Sequence, residues 1–323
     1  MVTLPLVRGV RAAAPLGIKI ANAAGALNLA MAELMRQQKF LESFGVAPEF
    51  LTVADGTRIL GGVVSGSVDV SMASGFAQVF PAVEHGAPLK ILAGGALLPA
   101  LALFSSKPDI KTPRDLAGKT IGTGSVGALV HQLTVALLDK YGVDTTSIRF
   151  VNVGSSADIF RAVAAGTVEG GLADVTLIQE AAAHHVHLVE HGNLSSELPE
   201  YTYQGAWTSD RTIKAERESL VRTLAAYARL YRFVQDSGSR DAFLRARRSV
   251  FPNAPEREHM AQWSYIQTYR PFAVDLVLSP ERLRYVQELN LRFRTQKAVM
   301  PFERIADMSL ARDALKLVDT GRI

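Results

Sequence analysis

The stretch Ile121-Gly122-Thr123-Gly124-Ser125-Val126-Gly127-Ala128-Leu129 reads as a strand, a glycine-rich turn and the opening of a helix. Upstream, Ile20-Ala21-Asn22-Ala23-Ala24-Gly25-Ala26-Leu27 has the same layout, an apolar strand running through small residues into Gly-Ala-Leu. The correspondence continues downstream of both. Ser43-Phe44-Gly45-Val46 answers Lys140-Tyr141-Gly142-Val143 where each helix closes, and Phe50-Leu51-Thr52-Val53 answers Phe150-Val151-Asn152-Val153 as a second strand. Residues 57–69 then lie over residues 157–169, and each leads into a short apolar strand, residues 70–73 and 170–173. The repeat is too long for a solenoid period and predicts two related α/β lobes on one chain.

Bulk properties limit the function classes. A chain of 323 residues with 48% hydrophobic content can bury a sizeable core and divide into one large or two ordinary domains. Its 35 Lys and Arg against 31 Asp and Glu leave a formal charge of only +4, which argues against nucleic acid as the main partner. The absence of Cys removes disulfides, thiolate metal sites and thiol nucleophiles together. The first residues carry Arg8 and Arg11 without a sustained apolar segment, so no intact secretory signal is visible, and no run of about 18 apolar residues predicts a membrane span.

Hydrophobic periodicity and turn residues predict the rest of the first lobe. Strands are expected over residues 16–21, 49–53, 68–72 and 89–98, and helices over 27–44, 57–64 with Asp55 as its cap, and 76–85. The second lobe is expected to carry strands over 119–122, 148–153, 170–173 and 186–190 and helices over 126–141, 157–165 and 175–183. Residues 100–105 and 201–208 read as further strands. From Arg211 onward the chain is predicted helical, over 216–236, 240–250, 255–269, 280–296 and 310–317.

The phrase Lys107-Pro108-Asp109-Ile110-Lys111-Thr112-Pro113-Arg114-Asp115-Leu116-Ala117-Gly118-Lys119-Thr120-Ile121-Gly122 resembles the stretch with which bacterial solute-binding proteins enter their second lobe. With Gly166-Thr167-Val168-Glu169-Gly170-Gly171-Leu172-Ala173-Asp174, it is similar to the nitrate/sulfonate/taurine and thiamin-precursor-like (NMT1/THI5-like) branch of type 2 periplasmic binding proteins of ABC transporters. The resemblance covers roughly residues 16–207. It implies a first lobe over 16–100, a second over 101–203, and a return over 204–323 to lobe one, on which the C-terminal helices pack. It also implies periplasmic location, a membrane permease as partner, a monomer, no cofactor and no catalysis. Enzymes on the same fold, acting on a small sulfinate, carboxylate or pyrimidine precursor, are the alternative.

In open α/β sheets ligands bind outside the carboxyl ends of the strands, beside helix N-termini. The loops so aimed are residues 22–27, 74–76, 97–99, 123–127, 152–155 and 174–176. Thr123, Ser125, Val126 and Gly127 belong to the turn with most chemistry: glycine lets backbone N–H groups approach a ligand, hydroxyls add donors, and the helix that follows presents its positive end. It lacks the Gly-Lys-Ser/Thr ending of a P-loop and does not continue as GxGxxG. As a plain alternative, the glycines allow a tight turn with Ser125 as N-cap. Asn22 holds a ligand or stabilises its turn; Ser74, beside Gly75, contacts ligand or caps a helix. Asp174 caps a helix or accepts from a donor on the ligand, and Gln204 faces the cleft or serves sheet backbone. Leu27, Phe76, Leu98 and Val126 form apolar walls or core, and Asn152 completes the candidate set. His184, His185, His187 and His191 straddle a helix end and a strand and are not expected to hold metal. His131 is the histidine nearest the expected cleft, with a core or surface role the plainer reading. Arg245-Ala246-Arg247-Arg248 reads as a solvated basic face. With no arginine in the cleft loops, unless Arg58 or Arg161 reaches inward, the expected ligand is an organic carboxylate or sulfonate with an apolar body rather than nitrate or sulfate.

Overall fold

The computed structural model describes residues 14–54 and 56–321, so the expected cap Asp55 and the reading of residues 1–13 lie outside the described residues. The strands run in chain order as β1 (Leu16–Ala23), β2 (Val46–Val53), β3 (Val70–Ser74), β4 (Leu89–Gly94), β5 (Leu101–Ser105), β6 (Thr120–Thr123), β7 (Arg149–Asn152), β8 (Gly170–Asp174), β9 (His187–Asn193) and β10 (Gly205–Ser209). They form two five-stranded sheets, ordered β2-β1-β3-β10-β4 and β7-β6-β8-β5-β9. The repeat is therefore visible in space: β1, β2 and β3 occupy the places that β6, β7 and β8 occupy in the second sheet. β1 runs parallel to β2 and β3, and β6 runs parallel to β7 and β8. Each sheet adds an antiparallel strand at the same place, β10 beside β3 and β5 beside β8. The chain leaves lobe one before β5 and returns before β10.

The two crossings hold each other. The Gly95 N–H donates to the Gln204 carbonyl at 2.9 Å, and the Gln204 N–H donates to the Ala96 carbonyl at 2.8 Å. The strand expected over 201–208 consequently starts only at Gly205, and that expected over 89–98 stops at Gly94. Trp207, fully buried on β10, donates its indole N–H to Ser74 Oγ at 3.0 Å.

Local chemistry explains where the elements differ from the periodicity. The helix expected over 27–44 ends at Gln37, because Lys39 adopts φ 53°, and a short helix Phe40–Ser43 follows. That break turns Phe40 onto Phe233, ring centroids 5.4 Å apart, and the apolar spacing is nearly the same either way. Residues 175–183 form two 3-10 turns, Val175–Gln179 and Ala181–His184, rather than one helix. Glu180, at their joint, is ion-paired to Arg257. The helix expected from 126 begins at Leu129, since Gly127 at φ 82° cannot continue a helical turn.

Of the C-terminal helices, Arg217–Gln235 packs on β1 and β2 and against the helix Ser309–Thr320, as the lobe-one expectation has it. Two others reach lobe two as well. Glu256–Tyr269 packs against the turn Val175–Gln179. Pro280–Arg292 meets the helix Leu129–Lys140, with Gln132 Nε2 donating to Asn290 Oδ1 at 2.9 Å and Arg292 paired with Asp139 at 2.9 Å. No helix of the described residues is long and apolar enough to cross a membrane.

Candidate functional site

Where the carboxyl ends of the two sheets face each other lies a cavity lined by both lobes, the place where small-molecule sites form between domains. Lobe one contributes Gly25, Asn28 and Gly75, lobe two Gly124, Ser125 and Leu129, and the returning crossing Tyr203 and Gln204. The lobes touch here: a Cβ on Gly75 would come within 2.9 Å of the Leu129 side chain. Asn28 ties the floor together, its Nδ2 donating to the carbonyls of Ala23 at 2.9 Å and Ala73 at 3.1 Å at the ends of β1 and β3.

Helix N-termini give the cavity its electrostatics. Ala26–Gln37 from lobe one is preceded by Gly25, and Leu129–Lys140 from lobe two by Ala128, and neither N-cap has a side chain that satisfies the first-turn N–H groups. Gly25, Ala128 and Leu129 all line the cavity. The two helix starts fall within one residue of matching positions of the repeat, so each half of the chain presents the positive end of a helix to the same space. A third helix at the rim, Ser156–Ala164, satisfies itself: Ser155 Oγ accepts from the Asp158 N–H while the Asp158 carboxylate accepts from the Ser155 N–H. The Ser155 hydroxyl, which also donates to that carboxylate, and the Ser155 N–H hold the Asp158 carboxyl below its ordinary range.

The candidate residues separate into groups. Gly75, Ser125 and Gln204 meet in the cavity. Asn22 and Gln204 line a smaller pocket behind it with Tyr227 and Tyr231, and Asn22 Oδ1 is buried without a partner. Asp174 lies in a side chamber described below. The others fall outside these spaces. Leu27 and Phe76 are core, because the helix stripe and the edge-to-face packing of Phe76 on Phe80 turn them inward. Ser74 is buried between Ser71 Oγ and the Trp207 indole. Thr123 is fully buried, its hydroxyl unpartnered. Half-buried Leu98 presents its carbonyl to the Tyr265 hydroxyl. Asn152 is exposed and accepts from the Gly154 N–H. Val126 projects outward, 71% exposed, because the turn bulges before the helix starts. Ser125 is accordingly not the N-cap; its carbonyl accepts from the Ala128 N–H and closes that turn. Gly127 donates its N–H to His131 Nδ1 at 3.2 Å. The His131 ring packs on Phe150, and desolvation lowers its pKa.

The side chamber shares Ala24, Gly25, Ser155 and Ser156 with the main cavity and adds Asp174, Thr176, Arg247, Phe251 and Glu258. Here the solvated reading of the basic helix holds for Arg245 and Arg248, which are exposed, and fails for Arg247. Arg247 is 2% exposed, because the helix Arg240–Val250 buries Phe243, Ala246 and Arg247 on one face against Ala26–Gln37. Its Nη1 donates to Gln262 Oε1 at 3.1 Å, its Nη2 lies 3.8 Å from Glu258, and its Nε has no partner. Desolvation lowers the Arg247 pKa and raises those of Asp174 and Glu258. Tyr203 is raised by desolvation and then by the neighbouring Asp174. Arg161 instead pairs with Asp158, and Arg58 is exposed. Sequence reasoning missed Arg247 although one signal was present: it sits four residues after Phe243, on the apolar stripe. Asn28, a polar residue between Leu27 and Leu29 in the first turn of its helix, was a comparable clue.

Among the described residues no three His, Asp or Glu side chains converge as metal ligands. His187 Nε2 contacts the Ile110 carbonyl and His191 lies beside Glu197.

No curated protein matches the chain. Among solved structures it is similar to the alkanesulfonate-binding protein SsuA from Xanthomonas axonopodis pv. citri bound to MOPS, at 20% identity and a TM-score of 0.72, over 94% of this chain and 99% of that one. It is similar to the periplasmic nitrate-binding protein NrtA from Synechocystis PCC 6803 at 11% identity and a TM-score of 0.74, over 95% and 90% of the two chains. The desulfurization enzyme DSZB also shares the fold, at 13% identity and a TM-score of 0.62, over 93% of this chain and 99% of the other. The family model described as NMT1/THI5 like matches residues 34–237, and with two sheets joined by two crossings around one cleft, the chain belongs to the NMT1/THI5-like family.

Proposed function

We propose that the protein is the solute-binding receptor of an ABC-type importer, closing two lobes around a small organic carboxylate or sulfonate and presenting it, as a periplasmic monomer, to a membrane permease. The observation that carries this reading is the pair of helix N-termini, one from each lobe, that open on one cavity with no capping side chain. An acid group between them accepts from N–H groups of both lobes at once, so binding and closure are the same event. In this reading lobe one comprises residues 16–100 and the chain from 204, lobe two comprises 101–203, and the crossings are the hinge. The alkanesulfonate and nitrate receptors of the same fold support it. The enzyme alternative has less chemistry to draw on: the chain has no Cys, and the cavity's hydroxyl residues have no histidine beside them in its lining.

A thermal-shift screen of dialysed protein against aliphatic and aromatic carboxylates and sulfonates tests the reading. A ligand at about 100 times its Kd adds about 2.7 kcal/mol to native stability, and NMR of the recovered ligand should show it unchanged. Conversion to product would transfer the protein to the enzyme class.

A further inference from the structure

We infer that the ligand is an organic acid whose far end carries a neutral group with both a hydrogen-bond donor and an acceptor, a carboxamide or ureido group, seated in the chamber of Arg247, Asp174 and Glu258. The inference rests on the anion-receptor reading above and concerns the other end of the same ligand. The chamber borders the main cavity, with Ala24, Gly25, Ser155 and Ser156 lining both, so one extended molecule reaching past these small residues can occupy both.

The guanidinium is the reason for a second polar group. Arg247 has five N–H donors, is 2% exposed, and uses one of them, on Gln262 Oε1. Glu258 at 3.8 Å is beyond hydrogen-bond range, and Nε has no partner in the protein. Phe251 covers the cation, its ring centroid 4.9 Å from the guanidinium carbon. A buried cation held so loosely favours an acceptor from outside the chain. The carboxyl groups determine what kind. Asp174 spends both of its Thr176 hydrogen bonds on Oδ1, and Glu258 lines the same chamber 3.8 Å from Arg247. A second carboxylate on the ligand would meet Arg247 but also these two acids. An ammonium would meet the acids but face the guanidinium and leave its donors unmet. An amide satisfies both, its carbonyl accepting from Arg247 and its N–H donating to Asp174.

Isothermal titration of dialysed protein with matched series tests this: the plain acids butyrate, valerate and hexanoate, the diacids succinate, glutarate and adipate, and the monoamides succinamate, glutaramate and adipamate. At one chain length the monoamide should bind at least about tenfold tighter than both counterparts, the effect of one hydrogen bond to a charged group. In Arg247→Gln and in Asp174→Asn the ratio of monoamide to plain-acid affinity should collapse to about twofold or less. If Arg247→Gln does not fold, Asp174→Asn, which keeps an acceptor for Thr176, still decides. Plain acids that bind as tightly as monoamides overturn this inference and leave the anion receptor standing. A preference that persists in Asp174→Asn overturns it too, and no binding by any series overturns this inference, while the anion-receptor reading is decided by the wider thermal-shift screen.

Discussion

At Asp174 the proposed binding role comes at a cost to stability. Desolvation raises its folded pKa above the unfolded value of about 3.9. The native state therefore holds the proton more tightly, and stability from this group falls as pH rises from below that value through the shifted one. Asp174→Asn keeps the acceptor for Thr176 and removes the charge. Its melting temperature at neutral pH should equal or exceed that of the parent, with the margin vanishing in acid; melts across pH check this, and a less stable variant at neutral pH would show that Arg247 more than offsets the desolvation. Trp207 makes the opposite point. Trp207→Phe leaves a void and removes the donor to Ser74 Oγ, at a cost of about 2 kcal/mol in urea unfolding. At this scale the sequence was only partly legible. Asp174 and Gln204 could be singled out because each ends or precedes a recognisable strand. Ser74 and Thr123 occupy equally suggestive positions yet face the core, since which side of a strand end meets the cavity depends on partners distant in sequence, Trp207 for Ser74.

At the scale of elements, the glycines at the strand ends control how closely the lobes approach. Gly75, at the end of β3, lies against Leu129 at the start of a lobe-two helix, with space for hydrogen but not for a Cβ at 2.9 Å. Gly75→Val should keep lobe one folded but hold the lobes apart, lowering affinity for the acid at least about tenfold, or about 1.4 kcal/mol. Leu129→Ala in the same chain should restore much of the loss; titration calorimetry measures both. The repeat made most of these elements readable, because a strand, glycine turn and helix recurring in order carries more information than any single window. Helix starts were less readable. Gly127 at φ 82° delays the lobe-two helix by three residues relative to an expected start at Val126, and glycine is compatible with either course. The single helix expected over 175–183 fails for a related reason: Asp174 and the Arg257 ion pair on Glu180 favour two tight turns, and Arg257 lies far along the chain.

Across the whole molecule, the C-terminal helices decide how the two lobes are tied. Glu180 is 4% exposed and paired with Arg257, whose guanidinium holds the carboxyl below its ordinary range. Arg257→Ala should destabilise the protein at neutral pH, a loss that urea unfolding should see disappear as pH falls below the ordinary glutamate value of about 4.3 and through the depressed one. The more exposed Arg292–Asp139 pair should contribute under about 1 kcal/mol in a double-mutant cycle. The resemblance covered the two lobes and said little about these helices, so their reach to lobe two, and with it the buried Arg247, emerged only from packing. The central claim is that an acid group of the ligand takes the place of the missing caps at Ala26–Gln37 and Leu129–Lys140. Ala128→Asp tests it most directly, because an N-cap carboxylate occupies the site from within the chain. The account predicts that calorimetry finds no acid binding while the unliganded protein melts higher, by about 1 kcal/mol of added stability. Acid binding equal to that of the parent would contradict it.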